Sequence, residues 1–308
     1  MTVDPISKPN EFTAVVVAAF GSICVGTVPF LVRSLQTSGF DTVSLLFWRY
    51  AVALLVLVPA ALWSLRGERT LRDPAAMLGI YGCGVWGAMQ AYAYYAAVET
   101  VATSVVGTIF FAYPIFTLLL DRFVLRVAVS RSTAVAVITI FIGVILTGLP
   151  QLRSDRLAVH GLMLAAAAPV LYALYITFSY ALTRRLATFV AAALIYLGQL
   201  TAYAMAAALT GLKWPASPTQ GLLLLAIGTL GGAVQIACFS YALPRLSASG
   251  YAVVVSLELV TVVMIGAVAL GESLTVVSVI GIALVLAGVV LDRLMRAWSK
   301  RTTPSRRA

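Results

Sequence analysis

Charge is scarce in this sequence. Only 10% of the 308 residues are Asp, Glu, Lys or Arg, against about 25% in a soluble domain. That is too little to cover a water-facing surface, so lipid is expected to be the main solvent. Histidine is scarcer still: His160 is the single copy and is read as lying in a loop. A His-ligated metal site and a histidine base are thereby set aside, and no metal or cofactor is expected. The three cysteines, Cys24, Cys83 and Cys238, sit inside apolar runs and imply no disulfide framework. No G-x-x-x-x-G-K-[ST] run occurs, which argues against a built-in ATP motor. A membrane enzyme would need a nucleophile with its base, or a cluster of ligands. Two intramembrane charges and one loop histidine do not make such a set, so no enzyme is expected.

What is present is hydrophobicity, at 61% of residues and a mean hydropathy of +1.00. A membrane-crossing helix needs about 20 largely apolar residues. Ten such runs can be drawn, at 12–33, 43–65, 75–98, 101–121, 132–149, 159–182, 187–210, 219–243, 247–270 and 274–295. The expectation is an all-α integral membrane protein with ten transmembrane helices and short connections. The first run lacks the order of a cleaved signal and reads as a retained helix.

The net charge of +10 would raise nucleic acid as a partner in a soluble chain. Here the basic residues sit in connections and tail, so lipid and a small solute are the expected partners and nucleic acid is not. All but five of the 21 Lys and Arg fall on the side of both termini. Arg33, Arg153, Arg156 and Lys213 lie opposite, and Arg49 lies within the membrane. The positive-inside rule therefore predicts cytoplasmic termini in a cell inner membrane. The sequence does not speak on oligomeric state, and a monomer suffices.

A shift of 145 residues lays the third to fifth runs on the eighth to tenth without a gap. Gly87-Ala88-Met89-Gln90 meets Gly232-Ala233-Val234-Gln235, and Ile142-Gly143-Val144 meets Ala287-Gly288-Val289. This predicts a first five-helix repeat over 1–149, a second over 150–295 and a basic tail over 296–308. Five is odd, so the second copy would enter the membrane from the opposite side. Two inverted repeats around a central cavity are the architecture of alternating-access transporters, with a site near the midplane, although channels also use inverted repeats.

The chain at this point resembles the drug/metabolite transporter superfamily, in its EamA-type exporter branch. The likeness is carried by Leu46-Phe47-Trp48-Arg49-Tyr50, by Ala112-Tyr113-Pro114-Ile115, and by Ser256-Leu257-Glu258-Leu259-Val260 followed by Gly271-Glu272. The family's usual form has proline after the glutamate in the ninth helix. Leu259 replaces it here, which removes the ring that would enforce a bend. The aromatic-rich third and fourth helices look like those of YddG-type exporters. That resemblance implies export of aromatic and other amino acids, and of some drugs.

Only Arg49 and Glu258 place an ionisable group well inside an apolar run. Each costs roughly 2.5–3.5 kcal/mol on insertion scales, so each is expected to face the bundle interior or a polar cavity. Counting from the helix ends puts Arg49 about six residues, or roughly 9 Å, below one surface and Glu258 about eleven residues, or roughly 16 Å, above the other. In a core about 30 Å thick their depths differ by about 5 Å, within reach of long side chains. Glu258 reads either as a proton or cation site or as a structural carboxylate, including a partner for Arg49.

Trp86, Gln90 and Tyr94 recur at i, i+4 and i+8 and so share a face, and the repeat aligns Gln235 with Gln90. An unsatisfied amide in lipid costs several kcal/mol. The two glutamines either flank a cavity, where they suit a zwitterion, or bond between helices. Trp86 and Tyr94 would then be flat walls of that cavity or, more simply, pack as core. Tyr113, Tyr172, Tyr175 and Gln199 complete the candidate substrate-binding set. A phosphorylated solute would call for several cations, and only Arg49 is available. A cationic drug or uncoupled facilitated passage remain alternatives.

Overall fold

The computed structural model describes residues 11–67, 73–101, 103–126, 130–148, 158–270 and 275–302. Among these the chain is helical, with no strand. Its elements are α1 (Glu11–Gly26), α2 (Val28–Thr37), α3 (Thr42–Gly67), α4 (Pro74–Thr100), α5 (Thr103–Phe110), α6 (Tyr113–Phe123), α7 (Arg131–Gly148), α8 (Val159–Thr183) and α9 (Thr188–Thr210). They continue with α10 (Pro218–Gly228), a π-helical segment (Thr229–Val234), α11 (Gln235–Ala242), a 3₁₀ turn (Leu243–Arg245), α12 (Ala248–Val255), α13 (Leu257–Leu270) and α14 (Val276–Thr302).

Joined end to end, these make the ten expected crossings. Seven are long and apolar enough by length and composition alone, beginning with Glu11–Thr37 and Thr42–Leu65. The stretches Arg131–Thr147 and Val276–Leu291 are shorter apolar helices. The remaining one, the third crossing α4, is diluted by Tyr81, Tyr92, Tyr94, Tyr95 and Gln90. The outer surface confirms the solvent. Leu55, Leu62, Trp63, Leu78, Met205 and Leu209 stand exposed, an arrangement that water would penalise and hydrocarbon rewards.

Local chemistry sets the helix starts. The Asp73 carboxylate accepts from the Ala75 and Ala76 N–H groups at 3.0 and 3.1 Å, with Pro74 at the first helical position of α4. Ser217 caps α10 through Gln220 N–H, ahead of Pro218, and Ser247 caps α12 through Gly250 N–H. Gly211 ends α9 at φ +88°, a conformation that glycine alone adopts freely.

The two repeats are visible in how the crossings pack. The third lies on the sixth as the eighth lies on the first, and the third lies on the seventh as the eighth lies on the second. The fourth lies on the sixth as the first lies on the ninth. The second–seventh, fourth–ninth and fifth–tenth pairs each map onto themselves. Exchanging the two halves therefore reproduces the contact pattern. Glycines set the closest approaches. A Cβ on Gly84 would stand 2.1 Å from the Ile195 carbonyl oxygen, and one on Gly198 would stand 2.3 Å from that of Tyr81. Gly143 and Gly281 meet reciprocally between α7 and α14.

Three sequence expectations change. The ninth crossing bends without proline: α12 stops at Val255 and α13 starts at Leu257. The Ser256 hydroxyl donates back to the Ala252 carbonyl at 3.0 Å, and a bond of this kind bends helices. Phe111 in the fourth crossing, 145 residues earlier, marks the equivalent break, there followed by Pro114. His160 belongs to the first turn of α8 rather than to a loop. Finally, α14 carries the chain on to Thr302, so the start of the expected tail is helical, and the expected repeat boundary at 149–150 lies outside the described residues.

Candidate functional site

Side chains from both repeats close around one cavity. Its walls include Arg49 and Tyr50 of α3, Gln90, Tyr94 and Tyr95 of α4, Phe110 of α5, Tyr172 and Tyr175 of α8, Tyr196 and Gln199 of α9, Gln235 of α11 and Glu258 of α13. The cavity volume is about 90 Å³, roughly three times a water's share of liquid volume. Pockets that hold drug-sized ligands run to about 300 Å³ or more, so an organic solute requires these walls to part.

Arg49 is buried and held by protein. Nη1 donates to the Tyr95 hydroxyl at 2.8 Å and Nη2 to the Gly231 carbonyl at 2.5 Å. Its guanidinium carbon lies 5.7 Å from the centre of the Tyr50 ring and 5.8 Å from that of Tyr95, within cation–π range. Gly231 belongs to the π segment, where the α-helical hydrogen-bond ladder is interrupted. The Tyr196 hydroxyl approaches the same carbonyl at 3.5 Å and donates to Gln235 Oε1 at 3.2 Å. That bond turns the carbonyl end of the Gln235 amide toward α9 and leaves its NH₂ donors to the cavity.

The other groups are less committed. Among the described residues, nothing hydrogen-bonds to the Gln90 amide or the Glu258 carboxylate, and no ion pair within 4 Å joins Glu258 to Arg49. The bridge that their similar depths permit is thus absent: the guanidinium is already engaged on α4 and the π segment. Gln199 is buried with Oε1 unpartnered, as is Nε of Arg49. A Cβ on Gly87 would meet Gln199 Nε2 at 2.8 Å, so this glycine makes room for that amide.

Of the ten candidate residues, eight line this cavity: Arg49, Gln90, Tyr94, Tyr172, Tyr175, Gln199, Gln235 and Glu258. Trp86 and Tyr113 do not. Steps of four residues advance about 40° around a helix each time, so Trp86 is turned well away from Tyr94. Its indole N–H donates to the Leu171 carbonyl at 3.2 Å on the flank of α8. Tyr113 is fully buried one layer behind, its ring 4.8 Å from that of Tyr172 and its hydroxyl donating to the Ala252 carbonyl. The residues that sequence reasoning passed over are Tyr50, Tyr95, Tyr196 and Phe110. The spacing of Tyr196, Gln199 and Tyr203 on one face of α9 was the available signal for one of them. Among the described residues no group of three His, Cys, Asp or Glu is placed to hold a metal ion.

Ten crossings in two repeats around a shared polar cavity define a multi-pass membrane carrier of small solutes. The model of the EamA-like transporter family matches residues 12–149 and 159–292, one match per repeat, and the chain belongs to that family. Its members are transporters rather than enzymes. No curated relative matches the chain. One solved crystal structure superposes with a TM-score of 0.77 over 93% of this chain and 99% of the other. At 18% identity, that likeness shows the fold alone.

Proposed function

We propose that this protein exports amino acids, aromatic ones among them, by alternating access through the cavity between its repeats. One observation carries the reading: Arg49 and Glu258, opposite in charge and unpaired with each other, face a single cavity together with the amides of Gln90 and Gln235. A zwitterion presents the complementary pattern, and aromatic walls suit an apolar side chain. A phosphorylated solute fits less well, because Arg49 is the one cation among the described lining residues.

The parity of five crossings per repeat supports an inverted arrangement, with both termini on the cytoplasmic side of the inner membrane. The breaks at Thr27, at Phe111–Ala112 and at Ser256, together with the π segment, supply places where the walls can part.

The test is tryptophan uptake by Gln90→Ala and Gln235→Ala variants in liposomes. A hydrogen bond to a charged group is worth about 1.5–3 kcal/mol, so each variant should lose about tenfold or more in apparent affinity. Unchanged affinity and rate in both would sink the site.

A further inference from the structure

The cavity has two aromatic cages of similar make and different content. In the first, Tyr50, Tyr95 and Tyr196 surround the protein's own cation, Arg49, whose terminal nitrogens are taken by the Tyr95 hydroxyl and the Gly231 carbonyl. In the second, Tyr94, Phe110 and Tyr172 form a continuous chain of rings, with centroids 5.0 Å apart from Tyr94 to Phe110 and 5.2 Å from Phe110 to Tyr172. All three rings line the cavity. Glu258 shares this small cavity with the three rings. It is only partly buried, and among the described residues no group bonds to it. Among the described residues no cation of the protein occupies this second cage.

We propose that Glu258 with Tyr94, Phe110 and Tyr172 is an ammonium subsite, and that the amine end of the solute supplies the main anchor. A carboxylate beside π-faces is the arrangement that attracts an organic cation and excludes an anion. The carboxylate end then meets the free NH₂ groups of Gln90 and Gln235, which tolerate its absence more readily than Glu258 tolerates a second anion. The inference rests on the same cavity as the amino acid reading, but it makes a separate claim: amines lacking a carboxylate should bind, and acids lacking an amine should not.

The experiment is calorimetric titration of the purified protein at pH 7 with tryptophan, tryptamine and indole-3-propionate. Tryptamine and tryptophan are expected to bind and indole-3-propionate to bind at least tenfold more weakly. Glu258→Gln should weaken tryptamine about tenfold or more, and Glu258→Asp should recover part of that loss. The unmodified protein answers by itself if a variant fails to fold. Equal binding of acid and amine, no binding of any of the three, or tryptamine binding indifferent to Glu258→Gln in a folded variant would each overturn the subsite. Tryptamine binding that depends on Glu258, with no transport of tryptophan, would uphold the subsite and refute the amino acid reading. Tryptophan transport with the acid competing as well as the amine would do the reverse.

Discussion

Arg49 of the second crossing donates Nη2 to the carbonyl of Gly231 in the eighth, at 2.5 Å, inside the single π-helical segment among the described residues. A charge from one repeat thus fills a gap in the backbone ladder of the other. Replacing it with an apolar chain of similar length leaves the Tyr95 hydroxyl without this donor and the Gly231 carbonyl with only the long 3.5 Å bond from the Tyr196 hydroxyl. Each such loss costs about 1–3 kcal/mol. Arg49→Met should therefore lower the melting temperature in detergent clearly, and Arg49→Lys should lower it less. A variant Arg49→Met as stable as the parent would show that the guanidinium does not secure the segment.

Helix α4 crosses α9 where Gly84 and Gly198 face each other's backbone. Overpacking a tight contact costs about 1–3 kcal/mol or more, and here the obstacle is main chain, which cannot rotate aside. Gly198→Ala should reduce the yield of monodisperse protein and its melting temperature. Gly82→Ala, in α4 two residues from Gly84 but with nothing within 4 Å of the added methyl, should be neutral. Equal behaviour of the two variants would contradict the packing described.

The break in the ninth crossing falls at Ser256, with no proline in it. Position 259 is the third residue of α13, within the first turn, where proline costs the single bond from Leu259 N–H to the Ser256 carbonyl at 3.2 Å rather than a bond of the helix interior. Leu259→Pro should fold and retain transport, whereas Val263→Pro, inside the helix, should cost about 3 kcal/mol and fail. Failure of both alike would mean that α12 and α13 act as one continuous helix.

Outside the membrane, Asp73 caps α4. Hydrogen bonds from the Ala76 and Ala75 N–H groups, aided by Arg185 at 3.5 Å, hold its carboxyl below the usual aspartate range. A depressed folded value stabilises the native state above the unfolded aspartate value of about 4, and that stabilisation is lost as pH falls through the folded value. Thermal stability should be flat from neutral pH to about 5 with respect to this group and then decline. In Asp73→Ala that acid-side component should vanish. An unchanged acid profile in the variant would remove the cap from the account.

The crossings were legible in the sequence because lipid demands long apolar runs and leaves few alternatives. Arg49 and Glu258 stood out for the same reason, as charges with no low-energy place except an interior. The 145-residue shift likewise announced two repeats. The tyrosines were harder to read. Tyr95 and Tyr196 hold Arg49 and Gln235, yet a tyrosine in an apolar run looks the same whether its ring packs or its hydroxyl bonds. Trp86 was misplaced because a four-residue stripe drifts around a helix. The π segment left only the Gly231-Gly232 pair as a trace, and the guanidinium that reaches it from another helix is a tertiary fact. The bend at Ser256 was missed because a serine hydroxyl turned on its own helix leaves no periodic signal.

The most direct measurement is uptake of labelled tryptophan, phenylalanine and threonine into liposomes holding the purified protein, with and without a pH gradient. Saturable uptake of the two aromatic amino acids, absent from empty liposomes and weakened by Gln90→Ala and Gln235→Ala, is the predicted result. Dependence on the gradient that disappears in Glu258→Gln, with exchange still measurable at raised substrate concentration, would add proton coupling at that carboxylate. No saturable uptake of any of the three would contradict the assignment of amino acids as substrates.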